Sequence, residues 1–138
     1  MDIYRISAVT LKVSDMQRSC DFYSRLPGFN LVRGGADANF TTFEVGEGTR
    51  VSVNLELSTY SDPGSTKKVS DFGRIIFYTE DVDSLFKHLT NDAVIARLAT
   101  MEGDPADAPW GERFFHLREP AGYQLSFAQP IIKNKGRK

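Results

Sequence analysis

Apolar and polar residues alternate along Val9-Thr10-Leu11-Lys12-Val13, and the run then meets Ser14-Asp15-Met16. The same design returns 66 residues later, where Ile75-Ile76-Phe77-Tyr78-Thr79 leads into Glu80-Asp81-Val82. A period of two that gives way to an acidic residue and an amphipathic segment predicts a strand followed by a capped helix. Met two such units in one chain of 138 residues, the pattern predicts two half-domains sharing one core, with any site between them.

The rest of each half fills in around that unit. Residues 3–13 read as the first strand. Ser14 or Asp15 can cap a helix over 15–26, with Met16, Ser19, Tyr23 and Leu26 near one stripe and Phe22 beside it. Pro27-Gly28 ends that helix. Three strands follow at 29–33, 40–45 and 50–57, separated by Gly34-Gly35 and Gly46-Glu47-Gly48, the punctuation of antiparallel hairpins. A polar linker containing Asp62-Pro63-Gly64-Ser65 divides the halves. In the second half, a strand covers 72–79 and Asp81 caps a helix from 82 to about 90. Val82, Leu85, Phe86 and Leu89 recur there at i, i+3, i+4 and i+7. Residues 94–99 read as a strand, 103–109 as a Pro/Asp-rich loop, and 113–118 and 123–128 as closing strands.

Each half is therefore expected to be βαβββ, and the fold class α+β, two such modules pairing their sheets around a cleft. The boundaries expected are one domain over 1–130, with module one at 1–58, a linker at 59–69 and module two at 70–130, followed by a basic tail at 131–138. Strand parity divides each sheet into two faces. Val9, Leu11, Val13, Val51, Val53, Leu55 and Leu57 are assigned to the helix side of module one, with Ile75, Phe77, Leu125 and Phe127 on that side of module two. The opposite sides carry Ala8, Thr10, Lys12, Ser52, Asn54 and Glu56 in one half. In the other they carry Arg74, Ile76, Tyr78, Gln124, Ser126 and Ala128. That second set is mixed polar, which suits a ligand cavity or an ordinary solvated face.

Composition narrows the partners. Lys+Arg 17 against Asp+Glu 18 gives a net charge of −1, which points away from nucleic acid, and the basic end reads as a frayed tail. The single cysteine, Cys20, excludes an internal disulfide and fits a reducing compartment. With no apolar stretch near the ~20 residues that span a bilayer and no secretory apolar region, a cytoplasmic protein away from the membrane is expected.

Three segments together resemble the vicinal oxygen chelate superfamily of glyoxalase I, extradiol dioxygenases, and fosfomycin and bleomycin resistance proteins. Ala8 to Met16 with Ser19 and Phe22-Tyr23 is similar to that family's opening strand and helix, and Phe77 to Asp83 to the start of its second module. Trp110-Gly111-Glu112 through Glu119-Pro120-Ala121-Gly122 resembles its closing hairpin, where Asp-Pro-x-Gly is usual and Glu119 departs. The resemblance implies the fold. It does not imply an activity.

Metal-dependent members place a His or Gln in the first strand, a His in the first strand of module two and a Glu in the last strand. The matching positions here are Ala8, Arg74 and Ser126, with Asn54 or Glu56 at a fourth position used by some members. Ala8 has no donor atom, Arg74 offers only N–H donors and would repel a cation, and a neutral hydroxyl is a poor ligand. The expectation is a chain with no metal and no cofactor.

What remains is Arg74, which in a cleft needs either an internal carboxylate, for which Glu56 is the candidate, or an anionic ligand. His116 can contact a ligand, serve a structural hydrogen bond or act as an acid/base. Trp110, Phe114 and Tyr78 add aromatic surface, although Trp110 can equally pack under the 103–109 loop or at a dimer interface. The expected ligand-binding set is Arg74, His116, Asn54, Glu56, Tyr78, Ser126 and Trp110, with no catalytic residue. The reading is a metal-free small-molecule binding protein most like the bleomycin-resistance branch, a homodimer whose ligand is anionic or aromatic. Its rivals are a non-metal isomerase or lyase using Arg74 and His116, a divergent metal-dependent lyase or dioxygenase, and a structural or regulatory dimer without a ligand.

Overall fold

In a computed structural model, residues 1–3, 5–48, 53–60 and 73–131 are described. The chain divides into two compact units, Met1–Lys68 and Val69–Lys138. Val51, Ser52, most of the expected linker and nearly all of the basic tail lie outside the described residues.

The first unit runs β1 (Ala8–Val13), α1 (Met16–Tyr23), β2 (Phe29–Arg33), β3 (Phe40–Val45) and β4 (Asn54–Thr59). Strand order is β1-β4-β3-β2, with β1 parallel to β4 and the other pairs antiparallel. The opening strand is shorter than the 3–13 expected. Asp15 caps α1, its carboxylate accepting from the Arg18 N–H at 3.1 Å. Met16, Ser19, Phe22, Tyr23 and Leu26 are all buried, as the helical stripe requires, and Tyr23 meets the Phe22 ring edge-on at 5.0 Å. Leu11, Val13, Leu55 and Leu57 close the other side of this core. Burying each such side chain stabilises by about 1.5–3 kcal/mol. Gly34, with φ +85°, turns the β2–β3 hairpin where a Cβ would strike the Phe40 carbonyl oxygen.

The second unit runs β5 (Arg74–Tyr78), α2 (Val82–Asn91), α3 (Ala93–Leu98), β6 (Thr100–Met101), β7 (Ala106–Ala108), β8 (Glu112–Arg118) and β9 (Gln124–Pro130). The order is β5-β9-β8-β6, and β7 also pairs with β8. Here β5 lies parallel to β9, matching β1 beside β4, and β6 and β7 together hold the position that β2 holds in the first unit.

Two expectations fail in this stretch. Where a strand over 94–99 is expected the chain forms the helix α3, because the Asp92 carboxylate accepts from the Val94 and Ile95 N–H groups and caps a turn of helix. Ile95 and Leu98, three residues apart, are its buried positions. A short apolar run fits a strand or a buried helix equally well, and the cap decides between them. The 103–109 loop also contains a strand, β7, whose residues Ala106–Ala108 pair with Phe114, Arg113 and Glu112. The overall class is nevertheless the α+β expected.

The helix side of the second sheet is the core side. Phe115 meets Phe86 of α2 at 5.1 Å and Phe127 of β9 at 5.3 Å, and Val82, Leu89, Leu117 and Leu125 are buried with them. Arg113 ties this layer together at the surface, pairing with Asp83 of α2 at 2.9 Å and Asp107 of β7 at 3.0 Å. The turn between β8 and β9 is built on Glu119, which is buried and accepts from the Ala121 N–H at 2.6 Å and the Tyr123 N–H at 3.1 Å.

Candidate ligand site on the second sheet

If Phe115, Leu117, Leu125 and Phe127 face α2, the residues between them face the other way, and hydrogen-bond register puts those residues into rows. Arg74, Gln124 and Arg118 form one row, Ile76, Ser126 and His116 the next, and Tyr78, Ala128 and Phe114 a third. Glu112 stands beyond the third row, opposite Pro130. Part of this face is hollowed into a cavity of about 60 Å³ whose walls include Arg74, Ile76, Glu112, Phe114, His116 and Ser126. Such a volume is shallow beside the ~300–1,000 Å³ of a pocket that engulfs a drug-sized ligand. On its own it is a shelf.

The shelf is electrically asymmetric. At one end Arg74 is exposed, and no carboxylate of its own unit pairs with it among the described residues. Arg118, in the same row, is already engaged by Glu102 at 3.2 Å and by the Gly122 carbonyl at 3.2 Å. Glu102 also accepts from Gln124 at 2.9 Å, and this hydrogen bond, followed by Arg118, holds its carboxyl below the usual carboxylate range. At the other end Glu112 accepts from the Tyr78 hydroxyl and from the Trp110 indole N–H, the latter at 3.0 Å. The Tyr78 phenol is pushed up by that hydrogen bond and by the negative charge of Glu112.

An aromatic file runs from the turn before β8 along that strand. Trp110 stacks on Phe114 at 6.2 Å, and Phe114 meets His116 at 4.9 Å. Burial lowers the His116 pKa first, and the positive charge of Arg74 lowers it further, so the imidazole is neutral at pH 7. Its Nδ1 is buried without a hydrogen-bond partner among the described residues. Ile76 and Trp110 leave 53% and 66% of their surface exposed, an unusual amount for large apolar groups at a concavity.

Of the residues expected at a site, Arg74, His116, Ser126 and Trp110 come together around the cavity, and Tyr78 joins them through Glu112. Asn54 and Glu56 belong to the first unit, on β4 beside Ala8 and Thr10, where Glu56 accepts from the Thr10 hydroxyl at 2.9 Å. The residue missed by sequence reasoning is Glu112. A strand taken to begin at 113 leaves it in a loop, although its spacing of two from Phe114 and four from His116 puts it on the same face. His88 is exposed on α2, and Cys20 is buried in the first unit with its thiol pushed up by burial. Among the described residues no group of three or more His, Cys, Asp or Glu side chains is placed to hold a metal ion.

The profile of the glyoxalase/bleomycin resistance protein/dioxygenase superfamily matches residues 5–127. The chain belongs to that superfamily. Solved structures with the same fold include a member of the superfamily from Sphaerobacter thermophilus DSM 20745, 29% identical, with TM-score 0.67 over 92% of this chain and 98% of that one. A glyoxalase/bleomycin resistance protein/dioxygenase from Nocardioides is 20% identical, with TM-score 0.68 over 100% of this chain and 91% of that one. TioX from Micromonospora sp. ML1 is also 20% identical, with TM-score 0.64 over 91% and 98%. No curated protein matches. The superfamily carries many chemistries on one fold, so membership sets the architecture and leaves the activity to the residues of the site.

Proposed function

We propose that this superfamily member is a metal-independent small-molecule binding protein whose ligand lies on the Arg74–His116–Trp110 face of the second sheet. The observation that carries the reading is a concave face bearing an exposed guanidinium and a neutral imidazole, neither with a hydrogen-bond or carboxylate partner among the described residues of its own unit. A structural face of this sheet would have paired those groups, as it has paired Arg118, Gln124 and Tyr78.

The donor set supports independence from metal. Guanidinium nitrogens have no lone pair to give, and Arg74 places a positive charge where a cation would have to sit. Ser126 contributes only a neutral hydroxyl, and Ala8 contributes nothing. A non-metal lyase or isomerase using Arg74 and His116 is the second reading, favoured by the neutral, unpartnered imidazole, which is in the protonation state a general base needs.

A homodimer and a cytoplasmic location complete the proposal. The exposed apolar side chains of the sheet edge at β2, Leu31 and Val32, support pairing with a second copy. No helix among the described residues is long and apolar enough to cross a membrane.

The test is a fragment screen of mixed acids, bases and neutral compounds against isotope-labelled protein, read by the indole signal of Trp110 and the ring signals of His116. Hits that shift both, and that Arg74→Ala weakens without loss of fold, are expected. A library that leaves both signals untouched sinks the binding reading. Stoichiometric Fe, Mn, Ni or Zn in the purified protein sinks metal independence, and turnover with a bell-shaped pH profile abolished by His116→Gln makes it an enzyme.

A further inference from the structure

The ends of the shelf carry opposite charge, and its middle is a file of rings, so the face prescribes both a ligand class and an orientation. From the row of Arg74 to that of His116 is two residues of strand, and to that of Phe114 four, spans of about 7 Å and about 13 Å. A planar body laid on Phe114 and His116 therefore has its near edge within reach of the Arg74 side chain. We propose that the second sheet's face binds a planar aromatic monocarboxylic acid, its ring on Phe114 and His116 and its carboxylate on Arg74. This rests on the reading of that face as the ligand site.

Each part of the class follows from a group on the face. Rings favour offset or tilted neighbours over saturated hydrocarbon, and the file already shows that geometry at 4.9 Å and 6.2 Å. The guanidinium fork matches the two oxygens of a carboxylate in the plane of the ring it extends. Among the described residues of this face Arg74 is the one cation without a carboxylate, which suits one negative charge. A phosphate dianion would leave charge uncompensated, since Arg118 is held by Glu102 and His116 is neutral. At the far end Glu112, already accepting from Tyr78 and Trp110, repels an acid bound the wrong way round.

The experiment uses the full chain and three probes: 2-naphthoate, the neutral 2-naphthamide of the same shape, and the saturated decalin-2-carboxylate. Trp110 is the only tryptophan, so its indole resonance reports this face alone. We expect 2-naphthoate to bind about 10-fold more tightly than 2-naphthamide, the charge-assisted hydrogen bond supplying that margin, and about 2- to 10-fold more tightly than the decalin acid, the ring contacts supplying that one. In Arg74→Gln the preference for 2-naphthoate over 2-naphthamide collapses, because the acid loses more affinity than the amide. In Phe114→Leu the preference over the decalin acid collapses instead.

Equal affinity for naphthoate and naphthamide, or a preference that survives Arg74→Gln, overturns the carboxylate assignment. Equal affinity for naphthoate and the decalin acid overturns the aromatic one. Failure of all three probes, while the fragment screen still maps other compounds to Trp110 and His116, overturns the inference and leaves the binding reading intact. Failure of the screen as well removes both.

Discussion

Strands β1 and β5 hold equivalent places, each parallel to the last strand of its own sheet, yet the residues they turn away from their helices differ in kind. In the first unit Thr10 donates to Glu56 and Lys12 to Ser58, so neighbouring strands satisfy each other. In the second, among the described residues, no carboxylate pairs with Arg74 and the buried Nδ1 of His116 has no partner, while Ile76 is left half exposed. The same backbone plan has been finished in one copy and left open in the other. Duplication supplies the scaffold twice, and the unmet hydrogen bonds mark the copy that the proposed ligand would complete.

That contrast is open to attack at several points along β8 and its surroundings. Phe115 and Phe114 are adjacent but face opposite ways, so Phe115→Ala is expected to lower stability by about 3–5 kcal/mol in urea unfolding. Phe114→Leu should leave the unfolding midpoint nearly in place while binding suffers. If Phe114→Leu proved as damaging as Phe115→Ala, the face would be core and the contrast would vanish.

Glu119→Ala strips two turn N–H groups of their acceptor and should cost about 2–3 kcal/mol. Glu119→Asp, with a shorter reach, should fall between wild type and alanine in the same measurement. A loss no larger than that of an ordinary surface substitution would show that the turn does not depend on this carboxylate.

His116→Phe removes a buried nitrogen that nothing among the described residues satisfies, and stability should rise by up to about 1 kcal/mol. The sign of its pH dependence follows from the depressed pKa. Below the unfolded histidine pKa of about 6.5 the unfolded chain takes up a proton that the folded chain refuses, so stability falls as pH drops until the folded pKa is passed. Burial sets this first; Arg74 and Arg118 also disfavour the imidazolium, and Glu102 favours it. Melting curves from about pH 7 to about pH 5 should slope less in His116→Phe than in wild type; parallel slopes would assign the titration elsewhere. The smallest effect is expected at Thr10→Val, whose exposed hydrogen bond to Glu56 water can replace, within about 0.5 kcal/mol of wild type.

How much of this was legible in the sequence depends on which physical signal each residue carries. The faces were readable because parity does not depend on where a strand ends. Leu55 and Leu57 point to the core although β4 begins and ends later than alternation suggested. Arg74, His116, Ser126 and Trp110 came from that parity and from family positions, and they do line one cavity. α3 was not readable from periodicity, since Val94, Ile95 and Ala96 suit either state and only the Asp92 carboxylate breaks the tie. Glu102 escaped for a related reason. Its partners Arg118 and Gln124 are brought to it by the pairing of β6 with β8, a contact that no local pattern announces.

The parallel pairing of first and last strands also has a kinetic consequence. Thr10 and Glu56, neighbours across β1 and β4, are 46 residues apart in the chain, and β5 waits slightly longer for β9, since Arg74 pairs with Gln124. Contacts of such long loops form slowly, because closure entropy is lost before any contact compensates it. Until β9 slots between β5 and β8, Arg74 and His116 stand on strands that do not touch, and there is no shelf at all. A ligand that grips both strands therefore recognises only the finished sheet, and should lengthen the lifetime of the folded protein without hastening its formation.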